Sequence, residues 1–350
     1  MWLAFPNNKN PKLWVSNKSS LKTAFSLYNP YSKKAKTLKK IIMFMPKKVG
    51  QLFLKLPTSN KQQDTFGFYK KHIDKILNID SIINISPGTK SKHQKSTIQI
   101  IENGIIKYYL KASDKPATIK LSENEYKILN ILANNKGPIS TPAAICGEKL
   151  SSHYFLIQTA PAGNYSQSDT SFNAPQTNAL LYLYGLGTSE LNLTHYISDI
   201  ARNIFETQPL VKKKLLNTLE KLDQYHKNKK IRLALSHGDF TPWNILINKN
   251  KELFIFDWEH GNETSPLLFD FFHFHYMIIK LLTHNKPQDI NTYLNNLYHK
   301  KDLQLFFNYM NINESDFKLY KMLYIIQIVL REIEENDQPS SISMEILAIA

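Results

Sequence analysis

The chain has 350 residues, of which 42% are hydrophobic, so it can bury a large core and form more than one lobe. Its single cysteine, Cys146, excludes an intrachain disulfide, as expected of a protein from a reducing compartment. The net charge of +15 is concentrated near the amino end, where residues 1–70 contain fourteen lysines and one acidic residue. The first ten residues lack the charged and then apolar order of a secretory signal, so we expect a cytoplasmic protein.

Residues 1–75 are predicted to form a basic extension. Within it, residues 33–57 (KKAKTLKKIIMFMPKKVGQLFLKLP) interleave lysines with large apolar residues. Such a segment can lie peripherally on the anionic inner face of a membrane, where each lysine contributes ~1 kcal/mol in addition to burial of the apolar face. Alternatively, it packs on the neighbouring lobe and keeps its lysines in solvent. Nucleic-acid binding is disfavoured, because no known reader module accompanies the charge.

A basic loop is predicted at residues 86–96 (SPGTKSKHQKS), between two runs typical of β-strands. Backbone amides near Gly88 and Thr89 can meet an anionic group such as a phosphate. A neighbouring lysine would assist them: Lys90, Lys92 or Lys95. An ordinary basic hairpin loop is the alternative, because the sequence has no G-x-G-x-x-G pattern here.

A β-hairpin followed by a helix is predicted next. Residues 96–113 (STIQIIENGIIKYYLKAS) predict the hairpin, with its turn at residues 102–104 and its second strand ending at Lys111. The apolar residues of LSENEYKILNILAN (121–134) recur at helical spacing, and Ser122 is predicted to cap this helix.

The chain then passes through one more strand into a mostly helical region. Residues 152–163 (SHYFLIQTAPAG) predict a buried strand that runs into a connector with proline and glycine. Residues 208–230 predict a helix, because leucines recur at spacings of three and four: Leu215, Leu219 and Leu222.

Residues 266–282 (PLLFDFFHFHYMIIKLL) are apolar on nearly every face, which predicts a central buried helix. The run is short for a membrane span, and its aspartate and two histidines argue further against one. We expect His273 and His275 to be core residues rather than ligands, because a spacing of two does not put both on one helix face.

The stretch HGDFTPWNILINKNKELFIFDWE, residues 237–259, carries the most chemical information. Asp239 lies five residues before Asn244, and Asp257 ends an apolar run thirteen residues later. Kinase-type phosphoryl transfer requires a carboxylate beside the attacking hydroxyl and oxygen ligands for Mg²⁺, and this order supplies both. A Gly-Asp turn alone is ordinary, but its spacing to two further oxygen ligands is hard to obtain by chance.

HGDFTPWN followed by FDWE resembles the aminoglycoside phosphotransferase and choline kinase family. The resemblance implies that Asp239 is the catalytic residue, that Asn244 and Asp257 bind Mg²⁺, and that ATP is the phosphoryl donor. It also implies an α+β, two-lobed protein-kinase-like fold with a small antiparallel-sheet amino lobe and a larger, mostly helical carboxyl lobe. The expected organisation is therefore a basic extension (1–75), an amino lobe (76–163) and a carboxyl lobe with the catalytic loop (164–350).

The resemblance also suggests roles for residues of the amino lobe. A kinase-like amino lobe needs a strand lysine that contacts the nucleotide phosphates and a helix glutamate that pairs with it. Lys111 and Glu125 stand in these positions, and Glu123 is the competing partner. In the family the adenine-binding hinge follows, so backbone groups from Gln158 to Ala160 are expected to contact adenine.

Two further residues are expected to stabilise the conformation of the catalytic loop. Asp270 is expected to brace the loop from the apolar helix, and His237 is expected to hold the loop backbone rather than to titrate in catalysis. Neither residue is predicted to take part in the chemical step.

The acceptor is expected to be a hydroxyl of a small molecule. Protein kinases place a long peptide-binding segment after the metal-binding aspartate, but here an apolar helix is predicted to begin near Leu267. Residues 260–350 contain eleven acidic residues against seven Lys and Arg, which permits a cationic amino-alcohol or aminoglycoside without requiring one. A sugar or surface-glycan precursor agrees better with a basic extension that lies on a membrane. A non-catalytic kinase-like protein with a basic binding extension is the contrasting interpretation.

Overall fold

The computed structural model describes residues 1–7, 9–30, 32–56, 60–89, 91–202, 204, 208–283 and 286–349. The chain divides into two compact units, Met1–Lys136 with Thr141–Gly163, and Gly137–Ser140 with Asn164–Ala350. None of the helices in the described ranges combines the length and apolar content that crossing a bilayer requires.

The strands are numbered in chain order: β1 (Trp2–Phe5), β2 (Leu13–Ser16), β3 (Ile82–Ser86), β4 (Ser96–Glu102), β5 (Ile105–Ser113), β6 (Ile139–Ser140), β7 (Ala144–Leu150), β8 (His153–Thr159), β9 (Tyr165–Gln167), β10 (Ser189–Asn192), β11 (Lys230–Ser236), β12 (Ile245–Asn248), β13 (Leu253–Ile255) and β14 (Asn262–Pro266). The α-helices are α1 (Leu21–Ser26), α2 (Lys33–Phe44), α3 (Lys47–Gly50), α4 (Asn60–Leu77), α5 (Pro116–Ala133), α6 (Ala174–Gly185), α7 (Leu193–Arg202), α8 (Pro209–Tyr225), α9 (Phe269–Ile278), α10 (Pro287–Asn296), α11 (Gln304–Tyr309), α12 (Glu314–Asn336) and α13 (Ser341–Ile349).

The first unit is built on a seven-stranded sheet in the order β1-β2-β3-β4-β5-β8-β7, in which every pairing is antiparallel. Two of these strands, β1 and β2, come from the segment predicted as an extension. They pair onto β3, so residues before and after position 75 share one sheet and one compact unit. The sheet is antiparallel, as expected for the amino lobe, and two strands from the residues before position 75 extend it.

The predicted hairpin is present as β4 and β5. Asn103 and Gly104 have φ values of 50° and 78°, which suit the left-handed positions of a tight hairpin turn. The predicted end of the second strand was wrong, because β5 continues past Lys111 to Ser113. There β5 still pairs with β8, with Ser113 opposite Tyr154. Lys111 therefore lies within a strand that has neighbours on both sides.

The predicted start of the following helix was also wrong. Helix α5 begins at Pro116, six residues before Ser122, and Ser122 is buried inside the helix instead of capping it. Proline fits the first helical position, because its missing N–H would have no intrahelical partner there and its φ is already helical. The inward-facing residues then continue at helical spacing through Ser122, Glu125, Ile128 and Leu132.

Strands β1 and β2 bury both of their faces, because successive side chains point to opposite sides of a strand. Ala4 and Trp14 face a core that also contains Phe66 and Tyr69 of α4. Their neighbours along the strands face a second core with residues from α1 and the basic segment: Leu3, Phe5, Leu13, Val15, Leu21, Ala24, Phe25, Ile42 and Leu54. The basic segment thus packs on the first unit through Ile42 and Leu54.

The second unit contains helices α6 to α13 and two small sheets, β10-β11-β14 and β6-β13-β12-β9. Helix α8 confirms the predicted leucine stripe, since Leu215, Leu219 and Leu222 are buried. The predicted central helix is α9, in which every residue from Phe269 to Tyr276 is buried. It begins later than the apolar run, because the run first completes strand β14 and then turns at Leu268, which has a φ of 67°.

Candidate active site

In the first unit, Lys111 pairs with Glu125. The Lys111 Nζ lies 2.6 Å from each carboxylate oxygen of Glu125. Lys111 is 4% exposed and Glu125 is fully buried, whereas Glu123 points to solvent. The inward face of α5 therefore selects Glu125 over Glu123 as the partner. A buried charge pair of this kind depends on both members, because removal of one takes a close counter-charge away from the other.

The loop between β3 and β4 is closed tightly on itself. Gly88 has a φ of 71°, and a Cβ placed there would lie 2.2 Å from the Lys95 carbonyl oxygen. The Gln94 side chain donates to the Pro87 carbonyl at 2.9 Å, and Ser113 Oγ donates to the Gln94 carbonyl at 3.0 Å. Gly88 and Thr89 are exposed on this anchored loop. Lys90 lies outside the described residues.

The backbone at the predicted adenine hinge is partly engaged in the sheet. Gln158 is buried in β8, and the N–H of Thr159 donates to the Ala143 carbonyl at 3.0 Å. The N–H of Ala160 donates to the Lys107 carbonyl at 2.8 Å. A base held here by Thr159 or Ala160 would meet their carbonyl groups, because their N–H groups are already bonded within the protein.

In the second unit, β11 leads into a loop that is held from α9. Asp270 accepts hydrogen bonds from the N–H of His237 at 2.6 Å and from that of Gly238 at 2.9 Å. This geometry confirms the bracing role predicted for Asp270. Gly238 has a φ of 79°, and a Cβ there would lie 2.0 Å from the His260 carbonyl oxygen. The glycine of HGD is therefore required both for its backbone angle and for space.

His237 ties this loop to the strand before Asp257. Its Nε2 donates to the Phe256 carbonyl at 2.9 Å, while its Nδ1 accepts from the N–H of Asp239 at 3.1 Å. Burial lowers the pKa of His237 to about 4, so the ring is neutral at neutral pH. As predicted, His237 holds backbone groups.

The Asp239 carboxylate is bonded at both oxygens. Asn244 Nδ2 donates to Oδ2 at 2.8 Å, and His273 Nε2 lies 2.9 Å from Oδ1. Burial acts to raise the pKa of Asp239, but the hydrogen bond that His273 donates to the carboxylate opposes this effect, and the pKa of Asp239 lies below its usual value. The carboxylate is therefore ionised at neutral pH. It remains 29% exposed, so a hydroxyl group can reach it.

A short hairpin fixes the two predicted Mg²⁺ ligands beside each other. Ile245 of β12 is opposite Ile255 of β13, and the Phe256 N–H donates to the Asn244 carbonyl at 3.1 Å. Asp257, with a φ of 64°, directly follows this last contact and precedes the 3₁₀ turn Trp258–His260. The hairpin register thus holds Asn244 and Asp257 at the same end of two adjacent strands.

The chemistry of these ligands fits Mg²⁺. Asn244 Nδ2 also donates to the Asp239 backbone carbonyl at 3.0 Å, so its amide nitrogen faces Asp239 and its Oδ1 is the atom that could bind a cation. In the part of the chain that the structure describes, no group of three or more His, Cys, Asp and Glu side chains is arranged to hold a metal. One carboxylate and one amide oxygen suit Mg²⁺, which keeps several waters and binds substrate phosphates.

Sequence reasoning missed three contributors to this loop. His273 was predicted to be a core residue, and it is 4% exposed, yet its ring contacts Asp239. Tyr324 supports the far side of that ring, with its hydroxyl 3.3 Å from Nδ1. Arg331 donates to the Gly238 carbonyl at 2.7 Å. His273 had a local signal, because it lies three residues after Asp270 and therefore on the same helix face. Tyr324 and Arg331 had none.

Comparison with known proteins agrees with this geometry. A model of the phosphotransferase enzyme family (APH) matches residues 91–283, which is more than half of the chain. No match is found among curated protein sequences.

Solved structures show which fold the chain has. It resembles aminoglycoside phosphotransferase APH(4)-Ia at 10% identity and a TM-score of 0.51, covering 80% of this chain and 94% of that one. A thermostable mutant of that protein, in a ternary complex with ADP and hygromycin B, matches at 11% identity and a TM-score of 0.50 with the same coverage. The choline kinase LicA from Streptococcus pneumoniae matches at 12% identity and a TM-score of 0.49, covering 82% of this chain and 97% of that one. The two APH(4)-Ia structures, with TM-scores of 0.51 and 0.50, confirm the predicted kinase-like α+β fold.

Proposed function

The chain belongs to the phosphotransferase enzyme family, and we propose that it transfers the γ-phosphate of ATP to a hydroxyl group of a small polar molecule. The observation that carries this proposal is the ionised, partly exposed Asp239, which His273 and Asn244 hold in one orientation. ATP as the donor is supported by the solved neighbour that was crystallised with ADP.

In the proposed mechanism, Asp239 accepts a hydrogen bond from the acceptor hydroxyl and takes its proton. The hydroxyl oxygen forms a bond to the γ-phosphorus, the bond from that phosphorus to the bridging oxygen breaks, and ADP leaves. The transition state is loose, so orientation of the hydroxyl matters more than early removal of its proton. Gly238 and His237, fixed by Asp270 and Phe256, hold Asp239 for this task.

Lys111, kept in place by Glu125, is proposed to contact the nucleotide phosphates, with the loop at Gly88 and Thr89 close to them. Backbone groups from Gln158 to Ala160 are proposed to contact adenine. Asn244 and Asp257 would hold Mg²⁺, which supplies positive charge to the phosphate oxygens when bound. Each of these roles follows from residue chemistry and from the family pattern.

A small acceptor is favoured over a peptide, because strand β14 and helix α9 follow Asp257 closely. We propose a sugar hydroxyl, such as that of a surface-glycan precursor, and a cytoplasmic enzyme in peripheral contact with the inner face of the membrane. The lysine-rich residues 1–70 support this choice. An aminoglycoside or an amino-alcohol such as choline is the second candidate, favoured by the acidic balance of residues 260–350.

The proposal is tested by measuring ATP consumption with sugars, amino-alcohols and aminoglycosides as acceptors. At least one class should stimulate consumption in the wild type and not in Asp239→Ala. Mg²⁺-dependent stabilisation by ATP, measured by thermal shift, should persist in Asp239→Ala and be lost in Asp257→Ala. A wild type that Mg²⁺ and ATP together do not stabilise would instead be a non-catalytic kinase-like protein.

A further inference from the structure

One stretch of the first unit exposes large apolar side chains beside many lysines. We name residues 33–56, which comprise α2, α3 and the 3₁₀ turn Gln51–Phe53 with the residues around it, the basic apolar face. It contains eight lysines and no acidic residue. Phe44 is 78% exposed, Leu52 is 75% exposed and Leu56 is 63% exposed. Other exposed apolar residues of the face are Leu38, Ile41, Val49 and Phe53. Water is a poor solvent for so many clustered apolar side chains.

Helix α2 separates its buried and exposed apolar residues. Leu38, Ile41 and Phe44 recur every third residue and so form one stripe, while the neighbouring Ile42 is buried in the second core. The exposed Lys33, Lys34 and Lys40 complete the outward surface of the helix. The helix therefore presents apolar and cationic groups outward together.

The charge of α2 opposes its own helical stability. Ser32 caps the helix, since its side chain accepts from the Ala35 N–H at 3.2 Å, but the first turn holds lysines and no acidic residue. Positive charge at a helix amino terminus is unfavourable, and Lys36 and Lys40 repel each other one turn apart. An anionic partner would remove both penalties.

The basic apolar face is anchored to the fold. Ile42 and Leu54 are buried in the second core, and Ala4 and Lys55 exchange two backbone hydrogen bonds of 2.8 and 2.9 Å. A Cβ on Gly50 would lie 2.1 Å from Leu21 Cδ1, so α3 lies directly against α1. The exposed side chains are therefore presented by a preformed surface.

We infer that the basic apolar face docks onto an anionic lipid bilayer. Lysines attract the lipid headgroups, while Phe44, Leu52 and Leu56 are long enough to enter the boundary of the acyl chains. A second copy of this chain is a poor occupant, because eight lysines would face eight others. Nucleic acid would engage the lysines but gives the aliphatic side chains no apolar environment. This inference deepens the peripheral location in the proposed function and supplies its contact surface.

The test is flotation of the full chain with two kinds of vesicle, without ATP or acceptor. One kind contains phosphatidylcholine alone, and the other also contains phosphatidylglycerol. We expect flotation with the anionic vesicles only, with less bound protein at high salt. Phe44→Ser with Leu52→Ser should reduce binding by roughly tenfold or more. Lys33→Gln with Lys40→Gln should also reduce it.

Matched controls come from the second unit. Leu305 and Tyr309 are 80% and 75% exposed, and Lys212 and Lys213 are exposed on α8. Leu305→Ser with Tyr309→Ser, and Lys212→Gln with Lys213→Gln, should float like the wild type. Each variant should retain the wild-type thermal melting profile, since the altered side chains lie at the surface.

Other outcomes overturn the inference. These are no flotation, equal flotation with neutral vesicles, or equal losses in test and control variants. Capture of an oligonucleotide that requires Lys33 and Lys40 but not Phe44 and Leu52, without flotation, would assign the face to nucleic acid. Asp239→Ala should float like the wild type, so failure of phosphotransfer and failure of membrane docking are distinguished.

Discussion

Asp239 has a neighbour at each carboxylate oxygen, and the two neighbours come from different parts of the fold. Asn244 follows it in the same loop, whereas His273 approaches from α9. A carboxylate only accepts hydrogen bonds, so His273 Nε2 carries the hydrogen and Nδ1 accepts from Tyr324. The ring is neutral, because burial lowers the pKa of His273 in spite of the opposing effect of Asp239. His273 thus acts as a positioning residue.

Replacement of His273 tests this role. His273→Leu removes the donor and should lower kcat by roughly ten- to a hundredfold, with the KM for ATP nearly unchanged, because Asp239 would be misplaced for its proposed role of orienting the hydroxyl. His273→Gln offers an amide donor and should restore part of the activity. Steady-state ATP consumption with the acceptor found in the screen measures both parameters. His275→Gln, on the same helix, should keep its kcat within a few fold of the wild-type value. Equal losses of kcat in the His273 and His275 variants would contradict the positioning role of His273.

Gly238 tests how far the catalytic loop can adjust. Gly238→Ala places a Cβ against the His260 carbonyl at a positive φ, and should lower the free energy of unfolding by about 2–3 kcal/mol. Urea unfolding measures the change. Gly185→Ala is the control, since a Cβ at Gly185 meets nothing within 4 Å at the end of α6. It should be neutral or stabilising, and a similarly small change at Gly238 would show that the loop relaxes.

At the scale of elements, α5 and β5 are joined through a charge pair inside the first unit. Glu125→Gln removes the carboxylate that pairs with the buried Lys111 and should destabilise the protein by about 3–5 kcal/mol. Stabilisation by Mg²⁺ and ATP in a thermal shift assay should fall as well, because Lys111 is no longer held. The exposed Glu123→Gln should change stability by less than about 0.5 kcal/mol. If Glu123→Gln had the larger effect, the pairing seen here would be wrong.

The elements that sequence predicted well carry their own local signals. The β4–β5 hairpin follows from an Asn-Gly turn between β-rich runs, and α8 follows from its leucine spacing. Helix α5 was placed too late, because Ser122 has the chemistry of a cap but lies on a face that the sheet buries. The preference of a single serine for a helix-capping position is a weak signal compared with burial of that face against the sheet.

Contacts distant in sequence could not be predicted in the same way. Trp14 of β2 pairs with Ile85 of β3, which lies 71 positions later in the sequence, and Arg331 reaches a loop 93 residues before it. No local periodicity specifies such partners. The residues 237–259 were nevertheless informative, because the chemistry of phosphoryl transfer itself dictates their types and order.

At the scale of the molecule, buried titratable groups predict loss of stability in acid. Burial lowers the pKa of His237 to about 4 and that of His275 to about 3, and it also lowers that of His273. The unfolded chain binds these protons near the usual pKa of 6.5 and the folded protein does not, so stability falls as the pH drops below that value. Asp270 acts oppositely, because burial raises its pKa to about 7 and the folded state binds that proton first. The loss of stability in acid that the three histidines cause exceeds the gain that the one carboxyl group contributes.

Urea unfolding at pH 7 and pH 5 measures the balance. We expect the free energy of unfolding to fall by about 1–3 kcal/mol between these conditions. His275→Gln should make the fall smaller by about 2 kcal/mol, since this side chain no longer titrates in the unfolded chain. The exposed His195→Gln should leave the fall unchanged. Greater stability at pH 5 than at pH 7 would contradict neutral buried histidines.

The two amino-terminal strands have a consequence for self-association. An edge strand displays unpaired N–H and C=O groups that can recruit a strand from another molecule. Without β1 and β2, strand β3 would be such an edge, and its own sequence includes the alternating isoleucines Ile83 and Ile85. Strand β1 is itself shielded at its outer side by the two hydrogen bonds between Ala4 and Lys55. The first 56 residues therefore cover a sheet edge that would otherwise be open to strand pairing and aggregation, whatever ligand they bind.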